Sequence, residues 1–395
     1  MLTFYGGNMT GNVLVVHGGG PTPVMNASLY GMIMESRKHP EIGCVYGALG
    51  GMEGIFKERF INLSQVDDAV LQKLLETPGT AIGSSRYPVT EEDYEKTPEI
   101  MKKYNIRYIL PNGGNGTMDT CGRIYQACVK EGYSDLRVVG IPKTIDNDLA
   151  VTYHTPGYGS AARYMAASVQ EVGADVRSLP IHVCVMEALG RNAGWITAAS
   201  ALYADLMPCE HLVYLPEVAF DKEKFLAAVK EKWAKGRGLL VTISEGIHYA
   251  DGSPVADSGV VDGFGHKVPG GAAQALSDMI MQETGLKSRS EKPGLLGRVS
   301  VSLMSEIDQK EAEEAGACAV RSAVEGKTGF MVGFETTRNP YSSKTCLIPL
   351  EKVANAEKKF PLEWIGEDGA SIKPAFKAYC EPLLGAYDSR FISLR

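Results

Sequence analysis

Short apolar bursts alternate with helix-length amphipathic stretches through the first three hundred residues. "NVLVVHG" is followed by "NASLYGMIMESRKH"; "IGCVYGAL" comes next, and later "IRYILPNGG" leads into "MDTCGRIYQACVKEG". Bursts of strand length, each closed by glycine or a polar turn and separated by helical stretches, predict a doubly wound, largely parallel sheet. A second set, "HVCVMEAL", "HLVYLPE" and "GLLVTISEG", with "DKEKFLAAVKEKWAKG" among them, predicts a second α/β lobe. No low-complexity linker and no fixed-period repeat intervenes. "EIDQKEAEEAGACAV" reads as an amphipathic helix with a solvated charged face. The last forty residues carry aromatics and prolines without clear period, and read as a C-terminal extension.

In open parallel sheets, ligands bind beyond the carboxyl ends of the strands. The segments after "VLVV", "YILP" and "VVGI" are therefore where chemistry is expected. With 395 residues, 44% hydrophobic and 22% charged, the chain has room for two such lobes. A formal charge of -7 and the lack of a basic block argue against nucleic-acid or membrane-surface partners and favour a small molecule. The eight cysteines show no C-x-x-C pair or zinc spacing and read as reduced and structural. "MLTFYGGNMTGN" lacks the order of a signal peptide, and no apolar run approaches a bilayer's thickness, so a cytoplasmic location is expected.

Three turns stand at the expected edge. In "HGGGPTPVMNASL", Gly18, Gly19 and Gly20 let phosphate oxygens approach backbone amides, and a helix beginning near Met25 or Asn26 adds its positive end. Alone, this is equally a tight strand-to-helix connection, since it matches neither common glycine fingerprint. "PNGGNGTMDT" repeats the device with Gly113, Gly114, Gly116 and Thr117, and "GSSRYP" adds Arg86, whose forked donors suit phosphate. "PKTIDND" then delivers Lys143, Thr144, Asp146 and Asp148 to the same edge. One carboxylate to accept a hydroxyl proton, one to help hold Mg2+ and a lysine to neutralise the moving group are the parts of phosphoryl transfer; in isolation the same residues make an Asx-rich surface turn. In the second lobe, Arg191 of "GRNAGW" or Arg298 could grip a phosphate that is not transferred, while Glu245 of "SEG" accepts from sugar hydroxyls.

"HGGGPTPVMNASL", "GSSRYP", "GGNGT", "PKTIDND", "HTPGYGSAARY", "GRNAGW", "PE" and "SEG" occur in the order found in the phosphofructokinase family, from about residue 12 to residue 325. On these motifs the chain resembles that family, and within it the pyrophosphate-dependent (diphosphate–fructose-6-phosphate 1-phosphotransferase) branch. The resemblance implies two doubly wound α/β lobes with largely parallel sheets and an active site in the cleft between them. Residues 1–157 with 299–355 would bind the phosphoryl donor. Residues 158–298 with 356–395 would bind the sugar phosphate and include the C-terminal extension. The implied reaction is Mg2+-dependent, reversible transfer from pyrophosphate to the 1-hydroxyl of fructose 6-phosphate, a step of glycolysis and gluconeogenesis.

Carried over by position, Asp146 would be the base on the sugar hydroxyl, Asp148 would assist at the metal and the transferred group, and Thr144 would contact that group. Gly19, Gly20, Arg86, Gly114, Asn115, Gly116, Thr117 and Lys143 would hold the donor, with Asn115 and Asp148 as protein ligands of the metal. Arg191 would stabilise developing charge. Leu189, Gly190, Arg191, Glu245, Arg298, Arg289 and His182 would bind the sugar phosphate, together with Thr144, Asp146 and Asp148. Arg289 would come from a neighbouring subunit of a homodimer or homotetramer.

Several positions depart from the family pattern. Asn115 replaces the metal-binding aspartate of ATP enzymes. His182 falls where a cross-subunit arginine is frequent, and Leu295 where a sugar-contacting histidine is common. These changes leave sedoheptulose 7-phosphate open as an acceptor. Lys143 goes with pyrophosphate users, whereas Gly116 lacks the aspartate by which such enzymes obstruct nucleotide, so an ATP-dependent 6-phosphofructokinase stays open. A catalytically silent, sugar-phosphate-sensing regulatory subunit is a third reading, opposed by the retained Lys143, Thr144, Asp146, Asp148 and Arg191. A nicotinamide dehydrogenase is disfavoured by the absent G-x-G-x-x-G.

Overall fold

The apolar bursts form strands as expected in the computed structural model, which describes residues 10–203, 206, 209–261, 267–353 and 356–387. The "MLTFYGGNM" start and residues 388–395 of the C-terminal extension lie outside the described residues. Strands are numbered in chain order. The chain divides into two compact units: Met1–Thr144 with Leu149–Gly157 and Gln309–Glu357, and Ile145–Asp148 with Tyr158–Asp308 and Lys358–Arg395.

The first unit holds β1 (Gly11–His17), β2 (Ile42–Ala48), β3 (Phe60–Asn62), β4 (Ile106–Gly113), β5 (Arg137–Pro142), β12 (Phe330–Arg338) and β13 (Tyr341–Pro349). Their order is β13-β12-β5-β4-β1-β2-β3, parallel throughout except for the two edge strands. The second holds β6 (Val183–Ala188), β7 (Glu210–Tyr214), β8 (Leu239–Ser244) and β11 (Ser288–Glu291), all parallel in the order β11-β6-β8-β7; β9 (Asp257–Val261) and β10 (Lys267–Pro269) form a separate antiparallel ribbon.

Continuous apolar runs in β1, β4 and β5 follow from burial on both faces. Val13 and Val15 pack on one side with Leu29, Met32 and Ile33. Leu14 and Val16 pack on the other with Ile109, Cys121 and Ile124. Each such side chain contributes about 1.5–3 kcal/mol of burial. All eight cysteines are free thiols, and burial pushes those of Cys121, Cys128, Cys184, Cys209 and Cys380 up, which leaves them inert.

The charged stretch "EIDQKEAEEAGACAV" lies in the helix Glu306–Val324, whose Ala312, Ala315, Ala319 and Ala323 form a buried stripe at helical spacing. This helix crosses Val24–Ser36 at unusually close range: a methyl group at Gly31 would run into the Glu313 carbonyl, and one at Gly316 into that of Ser28. Each helix thus presents a glycine to the other's backbone. Gly31→Ala and Gly316→Ala are each expected to destabilise the protein by about 1–3 kcal/mol, because backbone cannot yield as a side chain can. Calorimetric melting checks this; an unchanged midpoint in both variants would refute the close crossing.

Candidate active site

β2 lies on one side of β1 and β4 on the other, so the winding direction reverses between β1 and β4. The carboxyl ends of strands at such a reversal flank an open crevice. The turn Gly18–Gly20 leaves β1 there, and Gly114 leads from β4 into the helix Asn115–Lys130. One side chain ties the turns together: the Thr117 hydroxyl fills the space that a Cβ at either Gly18 or Gly113 would need. Backbone bonds close the arrangement, from Gly18 N–H to Asn112 O at 2.9 Å and from Gly19 N–H to Ser85 O at 3.3 Å, while Ser84 Oγ donates to Gly19 O at 2.7 Å. Arg86, next to Ser85, is exposed and makes no side-chain hydrogen bond or ion pair among the described residues. Gly116 is exposed, and a Cβ there would meet nothing within 4 Å.

Lys143 follows β5, the strand beside β4, and is buried. Its Nζ donates to Gly20 O at 2.7 Å, and its own N–H donates to Gly113 O at 3.0 Å, so this lysine joins the two glycine turns. Beneath it, fully buried His17 is held down to about 3 by burial and by the Lys143 charge, and is therefore neutral at physiological pH. Its Nδ1 lies 2.6 Å from Thr80 Oγ1. His17 pairs across the sheet with Asn112, which is likewise fully buried. Thr144 N–H bonds to Pro156 O at 3.2 Å, and Thr155 donates to Thr144 O at 2.9 Å, which anchors the end of this segment.

The stretch "KTIDND" passes from the first unit to the second after Thr144. Within the second unit, Asp146 Oδ1 lies 3.9 Å from the point that a Cβ on Gly190 would occupy, and Gly190 has φ 115°. Gly190 and Arg191 follow β6, and Glu245 follows the neighbouring β8. Ser244 Oγ donates to Gly190 O, and Glu245 N–H donates to Ala188 O at 3.0 Å. Asp146, Leu189, Gly190, Arg191 and Glu245 thus stand at one sheet edge within the second unit. A cavity of about 300 Å³ opens beside them, lined by Arg191, Asn192, Pro216, Glu245, His248 and Lys359 among others. Arg191 is exposed, and burial raises the Glu245 carboxyl, an effect that the Lys292 ammonium opposes.

Other expected residues stand elsewhere. His182 and Arg289 sit at the amino end of the same sheet, where Arg289 pairs with Cys184; a six-residue β6 separates them from Arg191 by about 20 Å. His182 is buried, and burial and nearby Arg289 lower its pKa. Arg298 stands half-buried on the short helix Leu296–Val299, and Leu295 just before it is exposed. Glu217 of "PE" accepts from Gly194 N–H at 2.9 Å and Phe360 N–H at 3.0 Å, a bracing role within this unit.

Four residues carried no sequence signal. Lys292 donates to buried Glu187 at 2.5 Å, close enough to Glu245 to influence its ionisation. Lys358 and Tyr379 reach the "TIDND" turn from the C-terminal extension. Burial lowers the Lys358 ammonium to about 7, against the pull of Asp148.

Glycine turns tied by a buried lysine at the carboxyl edge of a parallel sheet suit an α/β enzyme that handles phosphate. The chain belongs to the phosphofructokinase family, whose profile matches residues 12–323. It is 39% identical to the pyrophosphate–fructose 6-phosphate 1-phosphotransferase of Methylococcus capsulatus and 38% identical to that of Halomonas elongata, in each case over 95% of this chain and 92% of the relative. Among solved structures, the pyrophosphate-dependent phosphofructokinase from Nitrosospira multiformis matches with a TM-score of 0.87 at 34% identity, covering 98% of this chain and 95% of that one.

Arg86 offers a clean test of the anion site because it is exposed. Arg86→Ala is expected to weaken inorganic pyrophosphate binding about tenfold, since one charge-assisted contact is worth roughly 1.5 kcal/mol, and to leave stability within about 0.5 kcal/mol. Titration calorimetry and melting together check this; unchanged affinity would make Arg86 an ordinary solvated arginine.

Proposed function

We propose that this chain transfers a phosphoryl group from pyrophosphate to the 1-hydroxyl of fructose 6-phosphate, giving fructose 1,6-bisphosphate. The observation that carries the donor choice is Lys143, whose ammonium sits within the glycine turns, bonded to Gly20 O and 3.4 Å from where a Gly19 side chain would begin. A compact, highly charged donor gains from a fixed cation there. A nucleotide triphosphate must share that space.

In the forward direction Asp146 accepts the O1 proton as the O1–P bond forms, and the bridging P–O bond breaks to release orthophosphate. Lys143 and Arg191 neutralise charge on the moving group, and Thr144 orients it. Gly19, Gly20, Arg86, Gly114, Gly116 and Thr117 hold the donor. Leu189, Gly190, Glu245 and Arg298 hold the sugar phosphate. Mg2+, when bound, would supply further charge neutralisation, and we assign Asn115 and Asp148 as the residues that would help hold it. Two such contacts suit Mg2+, which takes one or two protein ligands plus phosphates and water. Asn115 Oδ1 is buried without a protein partner, which fits an oxygen ligand for such an ion. Because His182 and Arg289 lie at the far sheet end, they would serve a neighbouring copy's sugar site in a homodimer or homotetramer. No helix among the described residues is long and apolar enough to cross a membrane, and a cytoplasmic location accords with this substrate class.

Gly116 favours a second reading, ATP as donor, because the space beside it is open. Initial rates with fructose 6-phosphate, Mg2+ and either donor decide between them. Pyrophosphate is expected to support turnover and ATP to be negligible; the reverse result overturns the donor assignment, and silence with both overturns the function. Asp146→Asn is expected to lower kcat by roughly 10²–10⁴, the usual worth of a general base, with the KM for fructose 6-phosphate little changed. Loss of sugar binding with turnover intact would refute the role of Asp146.

Gly116→Asp places a carboxylate in the first turn of a helix, where it is tolerated. It is expected to leave stability unchanged and to lower any ATP-supported rate at least about tenfold, the cost of facing one phosphate with an uncompensated charge, while lowering pyrophosphate use less. An ATP rate that survives the substitution would show that nucleotide does not approach Gly116.

A further inference from the structure

The turn that carries Asp146 and Asp148 is held from an unexpected direction. Asn147, between them, is fully buried and has φ 53°. Both ends of its amide are bound by the C-terminal extension: Lys358 Nζ donates to Oδ1 at 3.1 Å, and Nδ2 donates to the Tyr379 hydroxyl at 2.8 Å. In its charged form the Lys358 ammonium only donates, which fixes the amide end that faces it, and the hydroxyl accepts from the other end. Lys358 also binds the turn through its backbone, its N–H donating to Asp148 O at 2.8 Å.

The two clamping residues are themselves immobilised. Trp195 Nε1 donates to Lys358 O at 3.1 Å, and the Lys358 ammonium lies 5.2 Å from the centre of the Trp195 ring. Tyr379 is buried, its ring 5.2 Å from Trp195 and 5.4 Å from Trp364; Phe360 and Phe376 complete the aromatic cluster. This is more apparatus than a surface Asx turn needs. A side amide read at both ends by a rigid cluster instead fixes the direction in which the neighbouring residues leave the backbone.

We propose that Lys358 and Tyr379 are positioning residues for phosphoryl transfer: by gripping both ends of the Asn147 amide, they set the backbone from which Asp146 and Asp148 project. This gives the C-terminal extension a role in the chemistry, and it rests on the reading of Asp146 as base. A misplacement of about 1 Å in a catalytic group costs roughly 10²-fold in rate, so releasing the clamp appears in kcat, while the sugar contacts of Arg191 and Glu245 stay in place.

The test compares wild type, Lys358→Met, Tyr379→Phe and the double variant, with Lys373→Met, an exposed lysine of the same extension, as control. Steady-state kinetics with pyrophosphate and fructose 6-phosphate are combined with hydrogen exchange of the peptide covering residues 144–150. Lys358→Met is expected to lower kcat roughly 100-fold and Tyr379→Phe about tenfold, with both KM values within about threefold, and the double variant to fall short of the product because one amide is shared. Exchange should quicken at residues 144–150 but not in β6 or β8, and Lys373→Met should match wild type. Unchanged kcat in Lys358→Met overturns the proposal. So does a loss of exchange protection spread evenly over the second sheet, which would mark Lys358 as a general stabiliser. If wild type proves inactive with both donors, the functional reading fails, and exchange at residues 144–150 alone decides the clamp: unaltered exchange in the variants overturns it.

Discussion

Asp146 and Asp148 are two like charges two residues apart in a partly buried turn. Their repulsion is the constraint on which the remaining site depends. A lower dielectric strengthens it, so it must be met by geometry and by cations rather than by solvent. The left-handed backbone at Asn147 supplies the geometry: an ordinary extended residue would send both flanking side chains toward the same face, whereas φ 53° turns the chain between them. Asparagine is among the few residues that take this conformation at small cost, and its amide offers a handle at each end. The bonds from Lys358 and Tyr379 use both.

Cations are distributed with the same economy. Among the described residues of the first unit Lys143 is the buried lysine, and its neighbour His17 stays neutral because burial and Lys143 together hold the imidazole far below its ordinary value. Two adjacent buried cations would draw in anions without discrimination and would cost stability when the site is empty. A single fixed ammonium among backbone amides would bind a polyanion yet allow its release. In the second unit exposed Arg191 can follow a moving charge, whereas Lys292 is committed to Glu187.

Much of this was legible in the sequence because the signals are local. A strand ending in glycine and followed by a helix places its turn at a sheet edge whatever else the chain does, and the two such turns in "HGGG" and "NGGNGT" lie side by side because β1 and β4 are neighbours, with Lys143 beside them at the end of β5. Ordered motifs from "HGGGPTPVMNASL" to "SEG" supplied the family. Contacts across long separations were not legible: Lys358 is 211 positions from Asn147 and Tyr379 is 232, and the extension's aromatics have no period to betray what they surround. Nor does any motif reveal that His182 and Arg289 lie at the opposite end of β6 from Arg191. That distinction comes from strand direction and register, which a list of motifs lacks.

Donor choice draws on both kinds of information. Charge alone does not separate pyrophosphate from ATP, since each presents phosphates to the same amides. Space does, and here the two sides of the crevice differ. At Gly116 the chain leaves room, whereas at Gly19 and Gly20 the Lys143 ammonium takes it. A side chain bonded to the backbone of the turn that must receive phosphate cannot withdraw without abandoning its hydrogen bond inside a buried setting, and leaving that carbonyl unsatisfied costs about 1–3 kcal/mol. An empty position beside a helix start imposes no such cost on any ligand. On the proposed reading the occupied position discriminates between donors and the empty one only permits, so Lys143 rather than Gly116 would set the donor.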